Sequence, residues 1–178
     1  MINSIKSAVL ILLLSLAVHG HVFAQERPGS EEENGIISAV AEMNAGRLAP
    51  ARDILSALLA DNAENDAAWY YLAMVSLMEN DLVEAEEYLK AAVKLDPENF
   101  WYRYRLAGIY GMTQRQEMTV EMYEKMVEDF PKRSELYLDM VDLYASQGNY
   151  EKALETIDEV EKVFGVTETL VMYRFNLL

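Results

Sequence analysis

A pattern that returns every 34 residues is the strongest constraint on how this 178-residue chain can fold. Helix-breaking prolines recur at that distance, Pro97 in KLDPENF and Pro131 in EDFPKRS. Proline lacks the N–H that a continuing helix requires, so each proline separates two stretches of good helix formers. A hairpin of two such helices cannot bury its own apolar face, and we therefore expect successive hairpins to stack on one another.

Other residue types keep the same register. The recurring positions are Trp69, Leu72, Ala73, Ser76, Ala85, Leu89 and Pro97, then Arg103, Leu106, Ala107, Tyr110, Thr119, Tyr123 and Pro131, then Tyr137, Met140, Val141, Tyr144, Ala153, Ile157 and Gly165, with Ala39, Ala51 and Leu55 before them. The small residues allow two helices to cross closely, with Leu72, Leu89 and Leu95 filling the space beside them. The turn inside each hairpin is predicted at Gly46, Asn80, Gln114 and Gly148, where Gly or Asn can take the positive φ that ends a helix.

Local signals at the helix starts agree with this division. Asp81 and Glu84 have the spacing of a capping box at the start of a second helix. Ser134 and Thr167 are predicted N-caps of later first helices. The segment DNAENDAAW before Trp69 lacks the glycine and the distal glutamate of a calcium loop, so we interpret it as a turn followed by an N-cap.

The register resembles that of the tetratricopeptide repeat, a 34-residue helix–turn–helix with the signature W-x2-L-G-x2-Y, A-x3-F and a late proline. Single positions depart from it, such as Ala73 for the glycine and Arg103 for the tryptophan. The resemblance implies an all-α fold, a right-handed αα-superhelix of three to four helix–turn–helix repeats plus an unpaired terminal helix. The array is expected over 35–178, with repeats at about 32–65, 66–99, 100–133 and 134–167 and a partial repeat at 168–178.

The amino-terminal residues predict export. An apolar run of eleven residues, Ala8 to Val18, follows Lys6 and is shorter than the roughly 20 residues that a membrane-spanning helix needs. Together with the small-residue exit at Ala24, this pattern is typical of a cleaved secretory signal peptide over 1–24. We expect a soluble periplasmic protein, with the polar segment 25–34 as a flexible linker.

The carboxy-terminal residues predict a first helix without its partner. The stretch ETLVMYRFNLL at 168–178 is apolar on most positions, whereas repeat arrays normally end in a polar unit. Two interpretations follow. In the favoured one the chain is a fragment of a longer array, and in the other a partner covers the last helix.

Composition argues against several classes of function. The formal charge of −15, or −16 without Lys6, argues against nucleic acid and anionic lipid as partners. The chain has no cysteine, and its two histidines, His19 and His21, lie in the predicted signal peptide. Nucleophile systems built on Cys–His or Ser–His pairs, and the usual zinc sites, are therefore not expected. We predict no enzyme activity, no metal site and no cofactor.

Two stretches suggest chemistry that their helical geometry disfavours. Met118 and Met126 lie about 12 Å apart along a helix axis, too far for them to bind one copper ion together with Met122. These methionines are better explained as adaptable core residues. In FWYRYRL, Tyr102 and Tyr104 lie about 200° apart around the helix, so they do not form one platform for stacking nucleic-acid bases.

A second apolar face on the first helices predicts a binding surface. In AWYYLAMVSLME one face packs within the array, which leaves other apolar residues at i, i+4, i+7 and i+8. The predicted partner-binding residues are Tyr70, Met74, Leu77, Met78, Trp101, Tyr104, Arg105, Met112 and Leu138, with Gly108, Asp142 and Ala145 in the same register. The resemblance implies that they line a concave groove suited to an extended or helical peptide. For any single residue, packing between helices is an equal alternative.

The family's carboxylate clamp, which binds chaperone tails with Lys, Asn, Asn, Lys and Arg, is not expected here. The matching positions hold Ile36, Val40, Tyr71, Trp101 and Arg105. Only Arg105 agrees, and it is able to anchor one carboxylate. We predict a non-catalytic scaffold or adaptor of the cell envelope that binds a protein or peptide partner. The alternative is a self-associating structural module that docks through its terminal helix. The partner's identity and the oligomeric state stay open.

Overall fold

A computed structural model describes residues 30–177, which form nine helices and no strand. The signal peptide predicted over 1–24 lies outside these residues. The helices are α1 (Ser30–Asn44), α2 (Leu48–Asp61), α3 (Asp66–Met78), α4 (Leu82–Leu95), α5 (Phe100–Met112), α6 (Gln116–Asp129), α7 (Ser134–Ser146), α8 (Tyr150–Phe164) and α9 (Glu168–Leu177). Four hairpins, α1–α2 to α7–α8, stack in chain order, and α9 packs on α8.

The helix starts repeat with the predicted period. The first helices α3, α5, α7 and α9 begin at residues 66, 100, 134 and 168, and the second helices begin at 48, 82, 116 and 150. Pro97 and Pro131 lie in the turns between hairpins, after α4 and α6 have ended. The all-α stack of hairpins predicted from the 34-residue register is confirmed.

The turns inside the hairpins share one backbone conformation, which was predicted for glycine and asparagine and occurs at Gln114 as well. Gly46 and Gly148 have φ values of 73° and 72°, while Asn80 and Gln114 reach 62° and 58°. A residue with a Cβ is disfavoured in this left-handed region, and Asn is tolerated better than Gln. Gln114 therefore keeps the register of the array at a local energetic cost.

The small residues occupy the helix crossings. Ala39, Ala51, Ala73 and Ala85 are all fully buried. Leu72 and Leu89 are buried beside them as predicted. Leu95 was expected to join them but is 38% exposed, because it is the last residue of α4, where the chain turns towards the next hairpin.

The helix caps agree with the sequence in part. The Asp81 side chain accepts a hydrogen bond from the Glu84 N–H at 3.0 Å, and Thr167 Oγ1 accepts one from the Leu170 N–H at 3.3 Å. The reciprocal half of the capping box is wrong, since the Glu84 carboxylate instead accepts bonds from other side chains at the interface with the first hairpin. Ser134 is also wrong as a cap. It is already the first residue of α7, and Arg133 precedes it without a side-chain cap.

The linker predicted over 25–34 is wrong from Ser30 onwards, where α1 begins. Residues 31–33 are glutamates in its first turn, where negative charge is favoured by the helix dipole. The Glu32 carboxylate also accepts hydrogen bonds from the side-chain amides of Asn62 and Asn65, at 3.0 and 3.2 Å. The charged run that suggested a linker therefore anchors the first helix to the loop after the first hairpin.

Candidate functional site

One face of α5 is buried in the array and the other carries the residues predicted to bind a partner. Tyr102, Leu106 and Ile109 are buried between neighbouring hairpins. The opposite side leaves Trp101 50% exposed and Met112 62% exposed. Large apolar side chains with this exposure are enriched at protein–protein contacts.

Four of the nine predicted residues line one cavity. Leu77 of α3 and Tyr104, Arg105 and Met112 of α5 surround a space of about 260 Å³. Gly108 also lines it, and a Cβ added there would meet no atom within 4 Å. The cavity therefore exists where a first helix lacks a side chain.

Three further residues of this cavity were not predicted. Ile109 of α5, Tyr123 of α6 and Asp139 of α7 complete its lining. The Tyr104 hydroxyl donates a hydrogen bond to Asp139 Oδ2 at 2.7 Å. Asp139 stands one 34-residue period after Arg105, so the register could have revealed it. It was missed because the position of Arg105 was not followed into the next repeat.

Burial governs the titration of these groups. Burial raises the pKa of the Asp139 carboxyl, and the nearby charges of Asp142 and Glu135 raise it further, although tyrosine hydroxyls that bond to the carboxylate oppose the shift. Burial, with the hydrogen bond to Asp139, also raises the pKa of Tyr104 to about 12. The cavity wall thus holds a carboxylate whose charge is poorly solvated.

Three predicted residues mainly pack between hairpins. The Tyr70 ring lies 5.0 Å from the ring of buried Tyr102, centroid to centroid. Met74 is half-buried between the first two hairpins and the third. Leu138 faces a separate apolar cavity of about 230 Å³, lined also by Phe164 and Leu170. The structure does not bring these three residues to the Gly108 cavity.

Trp101 and Met78 lie on the same helices but outside the cavity. Trp101 packs edge-on against Tyr104, with 6.3 Å between ring centroids, and the Arg133 guanidinium lies 5.7 Å from its ring. These contacts orient the indole while leaving half of its surface exposed. Met78, at the end of α3, is 54% exposed.

Charge is divided unevenly along the first helices. On α7, the side chains of Glu135, Asp139 and Asp142 are all acidic, and Asp142 accepts a hydrogen bond from Tyr173 of α9 at 3.3 Å. On α5, Arg105 is the cation nearest the cavity, and none of the ion pairs between described residues involves it. The face is thus apolar along α3 and α5 and acidic along α7.

The stretches that suggested other chemistry have structural roles. Met126 is fully buried in the core as expected, whereas the core assignment is wrong for Met118, which is 40% exposed. Tyr102 and Tyr104 donate hydrogen bonds to different helices, to Asp66 and Asp139 respectively. Within residues 30–177 no cluster of acidic or histidine side chains has metal-binding geometry, and no helix has both the length and the apolar character to cross a membrane.

Family comparisons now identify the repeat. Two family profiles, each described as a tetratricopeptide repeat, match residues 38–100 and 119–164 and together cover more than half of the chain. The chain belongs to the tetratricopeptide repeat family. Proteins of this family are generally protein-interaction modules, so protein binding is the broad function. None of the curated proteins compared with the chain matches it significantly.

Solved structures show the same fold. A MamA RS-1 double mutant superposes with a TM-score of 0.69 at 14% identity, over 84% of each chain. TTC0263, a thermophilic tetratricopeptide repeat protein of Thermus thermophilus, gives 0.59 at 20% identity over 82% of this chain and 80% of its own. A tetratricopeptide repeat protein of Parabacteroides merdae gives 0.58 at 19% identity, over 80% and 56%. At these identities the likeness shows the helical repeat superhelix and does not transfer a function.

Proposed function

We propose that this protein is a non-catalytic adaptor of the bacterial cell envelope, which holds a segment of a partner protein on the exposed face of its first helices. This partner face consists of Leu77, Met78, Trp101, Tyr104, Arg105, Gly108 and Met112. The proposal extends the general role of the repeat family to one surface and one compartment.

The main support for the proposal is the exposure of large apolar side chains on this face. Met78, Trp101 and Met112 are each at least half exposed, although all three are large apolar residues. Their equivalents in an inert stack would be polar, because leaving such surface in water is unfavourable. Tryptophan and methionine supply contact area that adapts to a peptide, and tryptophan is a frequent anchor of binding energy.

The sequence supports both a location in the cell envelope and a non-catalytic role. The pattern of residues 1–24 favours export, and without cysteine the stack is held together by non-covalent contacts. Outside that segment the chain contains neither histidine nor cysteine, which supply most nucleophiles and bases of hydrolytic sites. A scaffold in the periplasm accounts for both observations.

Site-specific photo-crosslinking in the native cell envelope tests the proposal. A photoreactive residue at Trp101 or Met112 should capture one dominant foreign protein. The matched control is Val83, which is 73% exposed on the second helix α4 and is not a residue of the partner face. Replacing Trp101 and Met112 by alanine should abolish capture without loss of helical content. Equal capture at Val83, or capture unaffected by the two alanines, would contradict the assignment of this face.

Self-association is the second candidate, and it is supported by the exposure of α9. Ala73, Ala107 and Val141 are fully buried at one register position of the first helices, whereas Phe175 at the same position is 79% exposed. Val171 and Met172 beside it are also more than half exposed. In a second copy, this exposed face would find an apolar surface against which it can pack. Sedimentation of the intact chain should then show association that Phe175→Ser prevents, whereas a concentration-independent monomer would exclude this candidate.

A further inference from the structure

The cavity beside Gly108 is small. At about 260 Å³ it is smaller than the pockets that hold drug-sized ligands, which begin near roughly 300 Å³. Met74 occupies the equivalent position of the preceding repeat, and Asp142 that of the following one. The glycine therefore opens a single socket in an otherwise continuous face.

Apolar side chains form most of the socket, and one carboxylate lies on its wall. Leu77, Met112 and the Tyr104 ring line it, while Asp139 faces it from α7 with the Tyr104 hydroxyl bonded to the carboxylate. No ion pair between described residues neutralises Asp139. A half-buried carboxylate that has only neutral donors still attracts a cation strongly.

The surroundings favour a cationic ligand as well. Glu135 and Asp142 stand on the same helix as Asp139, within range to raise its pKa by repulsion. The formal charge of the whole chain is −15, which draws basic segments towards it over longer distances. The socket therefore combines apolar walls with one carboxylate, and this pattern suits a long basic side chain.

We propose that the partner segment inserts a lysine or arginine side chain into the Gly108 socket. Its methylene stem packs along Leu77 and Met112, and its charged head binds the Asp139 carboxylate. This inference rests on the proposed function, since it assigns a recognition residue to the same partner face. The selectivity is opposite in sign to that of a carboxylate clamp.

Arg105 offers an alternative binding site for a ligand of the opposite charge. Its exposed guanidinium borders the same cavity, and a ligand carboxylate could bind there instead. The two possibilities predict opposite responses to charge changes. A basic ligand weakens when Asp139 becomes neutral, whereas an acidic ligand weakens when Arg105 is removed.

Amide and methyl NMR of the intact chain measures the preference with defined probes. The probes are the Nα-acetyl methylamides of lysine, arginine, norleucine and glutamate, and the reporters are the Gly108 amide and the Met112 methyl group. We expect the lysine and arginine probes to shift both reporters, with an affinity about tenfold higher than that of norleucine, as one charge-assisted hydrogen bond provides.

Three variants separate binding from folding. Asp139→Asn should reduce the lysine affinity to that of norleucine, whereas Glu98→Gln, which removes a charge from an exposed turn, should leave it unchanged. Gly108→Met should block every probe. That variant is expected to remain folded, because its side chain enters open space and methionine suits a helix better than glycine.

The outcomes distinguish this inference from the proposed function. Equal affinity for norleucine and lysine, preference for glutamate, or no shift at all would each overturn the basic-residue assignment. Crosslinking at Trp101 stays an independent readout of partner capture. Capture without lysine preference would therefore contradict the socket while supporting the adaptor, and lysine preference without capture would do the reverse.

Discussion

At the interface between the first and second hairpins, one arginine connects three helices. Arg52 of α2 donates hydrogen bonds to the buried Ser76 Oγ of α3 at 3.3 Å and to the Glu84 carboxylate of α4 at 2.8 Å. Glu84 also accepts bonds from Ser76 and from the Tyr88 hydroxyl. These bonds, with that from Ser76 the largest cause, lower the pKa of Glu84.

The interface between the third and fourth hairpins carries carboxylates without such a partner. Between α6 and α8 lie two clefts of about 440 and 520 Å³, bordered by Glu124, Glu128 and Glu155 among others. Tyr144 donates one hydrogen bond to Glu124 at 3.2 Å, and the Lys152 ammonium lies 5.2 Å from the Tyr144 ring centre. None of the ion pairs between described residues joins α6 to α8.

The difference shows how a repeat keeps its shape while its chemistry changes. Ser76 and Tyr144 occupy the same register position, yet the small hydroxyl admits an arginine and the phenol fills that space itself. In a stack, stability is close to a sum of repeat and nearest-neighbour terms. We number the interfaces by the hairpin that precedes them, so the first joins hairpins one and two and the third joins hairpins three and four. We therefore expect the third interface to open before the first, with α8 and α9 the least protected helices in hydrogen exchange.

The largest effect is expected from matched removal of the two cations. Arg52→Met should lower the free energy of unfolding by about 2 kcal/mol, because it leaves the polar groups around Ser76 without their charged donor. Lys152→Met should cost less than about 1 kcal/mol, the value of an exposed cation–π contact. Urea unfolding of both variants measures the difference, and equal losses would show that the interfaces do not differ as described.

Acid should weaken the second interface in a defined pH range. Hydrogen bonds from the Arg115 guanidinium, at 2.8 and 2.5 Å, lower the pKa of Glu86 from 4.5 to about 2. A carboxyl whose folded-state pKa is depressed stabilises the fold above its unfolded pKa and loses that contribution as the pH falls through the folded value.

The variant Glu86→Gln isolates this contribution. It should be less stable than the parent by about 1.5 kcal/mol at pH 6, with the gap closing between pH 4.5 and pH 2. Thermal unfolding followed by circular dichroism across that range provides the test. A gap that persists at pH 2 would mean that the ion pair is not its cause.

A turn substitution should strengthen the third hairpin without changing the third interface. Gln114 has a φ of 58°, so Gln114→Gly removes a steric cost and should add about 0.5–1 kcal/mol. Gly148→Ala, the control in the next hairpin, should lose a similar amount. Hydrogen exchange then shows whether the turn or the interface limits the stability of α8 and α9. If α8 and α9 become as protected as α3 and α4, the turn and not the interface was the weak point.

The smallest effect is expected from neutralising one carboxylate of the third interface. Glu128→Gln should add about 0.3–0.5 kcal/mol at low ionic strength by reducing like-charge repulsion, and salt should diminish the gain. Glu98→Gln in an exposed turn is the matched control. A gain that is equal in both variants, or unaffected by salt, would indicate an effect of net charge alone.

Several parts of the fold were predictable because they depend on local chemistry. The left-handed turns at Gly46 and Asn80, the breaks at Pro97 and Pro131, and the small residues at helix crossings each follow from what one residue type permits. Segment 30–34 was misassigned because its glutamates suit both a solvated linker and a helix N-terminus. Contacts of Glu32 with Asn62 and Asn65, which are 30 and 33 residues away, favour the helix.

The sequence by itself determined the period, the hairpins and the set of apolar residues that the first helices present on a second face. The tertiary structure decided which members of that set pack, as Tyr70 does against Tyr102, and which stay exposed, as Trp101 does. It also brought Asp139 to the cavity that Gly108 leaves open. The physical reason is that the register fixes the direction in which each side chain points from its own helix. How deeply that side chain is buried, and which charges surround it, depend on which neighbouring helix approaches and how closely.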